Sequence, residues 1–144
     1  MSKIEITKGV FIELTKEQLD SIEAQKGNIT SFEQIKDYKD ACKMLNRIPS
    51  PEPTPTVAIK TIARAINKLI DSNTNFPDWS NNEEKKWYPY FTFKGVGLVF
   101  FNSDYSCGCY CYVGAVAFVK TEKASNHLAK IALSYYNGLN KEKF

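Results

Sequence analysis

Residues 87–119 read WYPYFTFKGVGLVFFNSDYSCGCYCYVGAVAFV, and this stretch decides the fold. It holds most of the chain's aromatic residues and three of its four cysteines. Aromatic and β-branched side chains suit a pleated surface, and short runs of them broken by glycine read as strands. The stretch predicts three antiparallel strands, over residues 87–93, 98–102 and 109–119. Lys94-Gly95-Val96-Gly97 is the first turn, and residues 103–108 make a looser second connection. Pro89 has no amide donor, so the first strand needs an edge position or a bulge there.

The third strand is the most informative. Alternation puts Cys109, Cys111, Val113, Ala115, Ala117 and Val119 on one face. Tyr110, Tyr112, Val116 and Phe118 fall on the other. Neither face is polar, so the strand is expected to be covered on both sides. The small-residue face leaves room for a closely packed helix. The Tyr/Phe face needs an N-terminal helix, a second subunit or a ligand.

Working outward, Thr121 caps a helix over residues 122–137, with Ala124, Leu128, Ile131 and Tyr135 on its buried face and Gly138 at its end. Before the strands, SNTNFPDWSNN (72–82) is a loop pinned by Phe76 and Trp79. Thr56 caps a helix over 57–71 whose stripe is Ile59, Ile62, Ile66, Leu69 and Ile70. Prolines at 49, 51, 53 and 55 exclude a helix or an inner strand, so residues 49–56 form an extended connector. A stiff spacer is preferred there over a docking motif for a proline-binding module.

Residues 1–48 form an N-terminal, mainly helical segment. Ile4, Ile6, Val10 and Ile12 alternate as a short strand or hairpin bending near Gly9. Thr15 with Gln18 is a capping box for a helix over 16–26, ended by Gly27. Ser31 with Gln34 repeats the signal for a helix with Ile35, Tyr38, Cys42 and Leu45 on one face, stopping before Pro49. The expected fold is α+β: N-terminal helices, a three-stranded antiparallel β-meander, and a C-terminal helix packed on the sheet. Residues 57–144 hold the helix, sheet and closing helix, and with 1–48 they make one compact domain.

A chain of 144 residues is usual for one domain. The net charge of +3, on 19 basic and 16 acidic side chains, does not announce nucleic acid. No apolar run approaches the roughly 18–20 residues that span a bilayer. MSKIEITKG at the start lacks the apolar core of a secretory signal. The expectation is the cytosol, where thiols stay reduced.

Chemistry is thinly marked. Cys107, Cys109 and Cys111, with Cys42 as a fourth thiol, invite a zinc reading. On a strand, though, alternate side chains stand about 6.5–7 Å apart, too far for thiolates sharing one metal. They read as small apolar packing residues instead. His127, the one histidine, reads as a surface or boundary residue. Gly95-Val96-Gly97 lacks the third glycine and following helix of a dinucleotide loop. Asp78, Glu83 and Glu84 beside Lys85-Lys86 read as solvated surface. No acid–base pair suggests an enzyme, and neither a cofactor nor a metal is expected. The candidate binding surface is aromatic and basic: Trp79, Lys85, Lys86, Trp87, Tyr88, Tyr90 and Lys94, with Tyr110 and Tyr112. Aromatic side chains interleaved with lysine can stack bases and hold phosphates. The same residues, with Phe91 and Phe93, can equally form a core with a charged rim.

Several motifs carry a resemblance. These are Asp37-Tyr38-Lys39-Asp40-Ala41-Cys42, Trp79-Ser80, Lys86-Trp87-Tyr88-Pro89-Tyr90-Phe91, Tyr112-Val113-Gly114, Phe118-x-Lys120, and a helix with Ala124 and Tyr135-Tyr136. Together they resemble a family of small uncharacterised proteins from phages and mobile elements of gut Bacteroidetes, including crAss-like phages. The likeness covers about two thirds of the chain. Members tend to read Ser-Arg-Leu-Cys-Phe-Lys after the Tyr-Val-Gly. This chain has Ala115-Val116-Ala117-Phe118-Val119-Lys120, without that arginine. The resemblance implies a phage or mobile-element origin and no reaction. In that setting the expectation is a non-enzymatic accessory protein in the host cytosol that binds a host or viral protein, an inhibitor of host defence among the options. A small nucleotide ligand and a homo-oligomer remain open. The alternatives are single-stranded nucleic-acid binding by the aromatic and lysine face, and a structural part of the virion.

Overall fold

The computed structural model describes residues 2–7, 10–18, 20, 29–73, 76–95, 97–107 and 117–141. The chain is α+β. β1 (Ser2–Thr7) and β2 (Val10–Leu14) pair as an antiparallel hairpin. Thr15 then starts a helical turn at residues 16–18. Its hydroxyl accepts from the Gln18 N–H (3.3 Å), and Gln18 Oε1 accepts from the Thr15 N–H (3.0 Å), the expected capping box. Most of the expected 16–26 helix, with Gly27, lies outside the described residues.

The helix expected after Ser31 is two elements. Ser31 and Gln34 form their capping box on a short 3-10 helix, Phe32–Gln34, and Ile35 then leaves helical geometry (ψ 115°). Asp37 opens a new helix, α1 (Tyr38–Met44), with Oδ1 accepting the Asp40 N–H at 2.9 Å. Aspartate is among the strongest N-caps, so a second start signal inside the apolar stripe wins over continuation. Ile35, Tyr38 and Cys42 are still buried.

Residues 49–54 of the proline connector are exposed or half-exposed and carry no helix or strand, whereas its expected last two residues, Pro55 and Thr56, are already helical. The connector leads into α2 (Pro55–Ile70), capped by Thr54 rather than Thr56. Pro55 occupies the first helical position, where its fixed φ fits and its missing N–H costs nothing. Ile59, Ile62 and Ile66 are buried along α2, beside Ala58, Ala63 and Ala65. Each large aliphatic contributes roughly 1.5–3 kcal/mol by leaving water, and the alanines let neighbouring helices approach.

β3 (Lys86–Lys94) and β4 (Gly97–Ser106) form the main antiparallel pair. Gly95 turns the chain at φ +65°, a conformation that favours glycine. A bulge between Tyr90 and Phe91 makes Phe101 the extra residue on β4, one position past Pro89. β4 runs four residues beyond the expected Asn102. Cross-strand pairing overrides the weak strand preference of Ser103 and Asp104. α3 (Glu122–Lys141) packs on the Phe91 face, with the Phe91 and Tyr136 rings edge-on at 5.5 Å. The Ser103 hydroxyl meets Ser125 Oγ (2.8 Å) and Asn126 Oδ1 (2.9 Å). Thr121 caps α3 as expected, accepting from the Ala124 N–H. The helix runs through Gly138 instead of ending there. A glycine inside a helix costs only about 1 kcal/mol, and the surrounding turns carry it.

Residues 109–116 of the expected third strand lie outside the described residues. Its end is described: Ala117, Phe118 and Val119 are all buried. The Trp87 N–H donates to the Val119 carbonyl (3.0 Å), and the Val119 N–H donates to the Trp87 carbonyl (2.8 Å). With both backbone groups of Trp87 engaged this way, Val119 lies on the edge of β3 opposite β4. A meander would place it beside β4. Among the described residues the main sheet is therefore two strands and one bridge.

Two asparagines act as side-chain substitutes for strand pairing. Asn67, buried on α2, donates to the Phe118 carbonyl (2.8 Å) and accepts from the Lys120 N–H (3.1 Å). Asn137 on α3 accepts from the Leu98 N–H (3.1 Å) and donates to the Leu98 carbonyl (3.2 Å).

Candidate functional site

The expected surface residues separate into an inner and an outer group. The inner group surrounds Phe118. Trp79 meets its ring edge-on at 5.2 Å and Tyr88 at 5.6 Å. All three lie away from the main core, because Phe118 and Val119 point to opposite faces, and Val119 joins the core with Trp87. The expectation of cover on both faces thus holds at the described end of that segment.

Lys86 belongs wholly to the inner group and does not reach the surface. It is 0% exposed. Its ammonium donates to the carbonyls of Asn81 (2.9 Å) and Glu84 (3.1 Å), with Glu84 Oε2 at 3.8 Å and the Trp79 ring centre at 5.8 Å. Glu84 Oε2 also accepts the Asp78 N–H at 2.8 Å. The loop before β3 is folded around this one cation. Charged groups are buried only when paired and hydrogen-bonded, and Lys86 meets both conditions. Asp78 is held below the usual carboxylate range, first by the Ser80 hydroxyl and N–H, with Lys86 a smaller influence. This acidic stretch is consequently a structured loop and not simply solvated surface.

The outer group lies along the β3–β4 ribbon, with Tyr90, Phe93 and Phe101 on its turn half and Tyr105 opposite Trp87 at the other end. Tyr90 is 54% exposed and Phe101 65% exposed, their rings edge-on at 6.1 Å. Phe93 is 74% exposed near the turn, beside exposed Lys94. Tyr105 is 44% exposed, its ring tilted against Trp87 at 5.0 Å and capped by the Lys85 ammonium at 4.5 Å. Tyr110 and Tyr112 lie outside the described residues. Phe101 and Tyr105 are absent from the expected set. A signal for Phe101 was available: in a strand, the adjacent Phe100 and Phe101 must point to opposite faces or make a bulge.

His127 is a boundary residue as expected, but it is engaged. Its Nε2 lies 2.8 Å from the Ile35 carbonyl, which can only accept, so Nε2 carries the proton. The Phe32 ring meets it at 5.7 Å. Nearby, Lys123 and Glu33 pair at 2.6 Å. The Lys123 and Ser31 hydrogen bonds lower the Glu33 carboxyl to about 2. Burial pushes the Tyr136 phenol up. Cys42 is a buried free thiol and Cys107 a half-buried one, while Cys109 and Cys111 lie outside the described residues. Among the described residues no three His, Cys, Asp or Glu side chains are grouped to hold a metal. No described helix is long and apolar enough to cross a membrane.

No protein-family model matches the chain, and no curated protein or solved structure is significantly similar to it.

Proposed function

We propose that the protein is a non-enzymatic accessory protein of phage or mobile-element type, which binds a host or viral protein in the host cytosol. The docking surface is the outer half of the β3–β4 ribbon. The observation that supports this is the exposure of Tyr90, Phe93 and Phe101 on that half of the ribbon. Aromatic side chains are enriched at protein interfaces, where they bring large contact area at low entropic cost. Trp87 and Tyr88 anchor the covered end of that ribbon, where Trp79 packs through Phe118. Inhibition of host defence is one task such binding performs. The same reading gives the sheet a third strand ending at Val119, supported by its bridge to Trp87.

Single-stranded nucleic acid is a weaker occupant for this ribbon. Its expected lysine trio is reduced, because Lys86 is enclosed and Lys85 already lies over Tyr105. The test is affinity purification from infected cells with the wild-type chain and a Tyr90→Ala/Phe101→Ala variant. A protein held by the wild type and lost by the variant, with unchanged circular dichroism, supports the proposal. Equal recovery by both chains removes the ribbon as the docking surface.

A further inference from the structure

The helical layer carries a second surface, independent of the ribbon. Residues 36–71 contain seven Lys and Arg but four Asp and Glu, which is the whole +3 of the chain; the remaining residues balance at twelve of each. All seven of these cations are exposed. Three of the four carboxylates are engaged locally. Asp37 accepts from the Asp40 N–H, Asp40 from the Lys36 N–H, and Asp71 pairs with Lys120 at 3.2 Å.

α2 shows the pattern most clearly. Pro55–Ile70 contains no acidic residue. Its exposed side presents Lys60, Arg64 and Lys68, four residues apart, in steps of about 6 Å along the axis. Among the described residues none of the three has an ion-pair or hydrogen-bond partner for its side chain. Like charges spaced this way repel and weaken a helix. Lys68 near the C-terminus is favoured by the helix dipole, but Lys60 and Arg64 have no such reason. On α1, which packs against α2, Lys39 and Lys43 repeat the spacing, and Arg47 follows at the same interval.

We propose that the outer face of α2 binds the phosphate backbone of nucleic acid. Charge complementarity selects this occupant. A protein interface centres on apolar anchors and excludes charge from its middle. This stripe is charged throughout its middle and has only Val57 at one end. A phosphate backbone presents evenly spaced charge and needs no apolar anchor. No base-reading constellation accompanies the stripe, so binding is independent of sequence.

The test is fluorescence anisotropy of the full chain with labelled single-stranded and duplex DNA across a salt series. The expected result is binding at low salt, with log K falling against log salt at a slope of about −2 to −3. Lys60→Glu/Arg64→Glu/Lys68→Glu abolishes it, while Tyr90→Ala/Phe101→Ala binds like the wild type. Should the triple variant fail to fold, Arg64→Gln alone must reduce the slope by about one. No binding at low salt overturns the proposal, as does binding that survives these substitutions. Competition by a polyglutamate peptide as effective as unlabelled DNA assigns the stripe to acidic protein and also overturns it.

Discussion

At one end of the β3–β4 ribbon, Trp87 faces the helical core and Tyr88 stacks against Phe118 and, through it, Trp79. At the other end Tyr90, Phe93 and Phe101 stand in solvent. The residue types are alike, and so is their alternation. What differs is the cover. The near end has α3 on one face and the Lys86 loop with Phe118 on the other. The far end keeps α3 alongside at Phe91 and Leu98, but the contacts of Phe118 and the Lys86 loop stop at Tyr88. Aromatic content therefore reports how much surface a segment can offer, while its neighbours decide whether that surface becomes core or remains available for docking.

The largest effect is expected at the near end. Phe118→Ala should cost about 3–5 kcal/mol, because a buried aromatic leaves a cavity that Trp79 and Tyr88 cannot close. Denaturant unfolding measures it, and a loss below about 1 kcal/mol would mean that the Phe118 cluster is peripheral. Lys86→Met comes next, at about 2 kcal/mol. It leaves the Asn81 and Glu84 carbonyls without a donor but relieves a buried charge, so the two effects partly oppose. Equal stability of Lys86→Met and wild type would show that the loop does not depend on its internal cation. At the far end, Phe101→Ala should change stability by no more than about 0.5 kcal/mol. A larger loss would place that ring in a packed environment and erase the contrast.

The smallest effect belongs to the exposed Glu33–Lys123 pair, which ties the 3-10 helix to α3. The Glu33 carboxyl is lowered from 4.5 to about 2, so its ionised form favours the folded chain. That contribution is complete above pH 4.5 and disappears as pH falls through about 2. Glu33→Gln should flatten the melting temperature against pH in that interval, lowering it slightly above pH 4.5 and leaving it unchanged near pH 2. Solvent exposure and salt screening keep the effect small.

Local signals were legible in the sequence. The caps at Thr15, Ser31 and Thr121, the apolar stripes of α2 and α3, and the β3–β4 turn all depend on residues within a few positions of one another. Features set by distant partners were not legible. Lys85 and Lys86 are identical in sequence, yet one lies over Tyr105 and the other is enclosed by its own loop. Val119 was legible as a buried strand residue, but its side of the sheet depends on the free backbone groups of Trp87, across 32 residues. The split between Gln34 and Tyr38 was not read, because the apolar stripe runs unbroken through it and Asp37, which caps the new helix, lies inside that stripe.

The pairing of Asn137 with Leu98 has a consequence for how copies of this chain meet. Among the described residues β4 is an outer strand of ten residues, and an open outer strand is a template on which another molecule's strand can add and start a fibre. The carboxamide fills one rung of that template with a group that cannot propagate the ladder. Removing it would lengthen the open rail at its turn end, where the greasy rings are already bare, and concentrated solutions of such a variant would be the first to cloud.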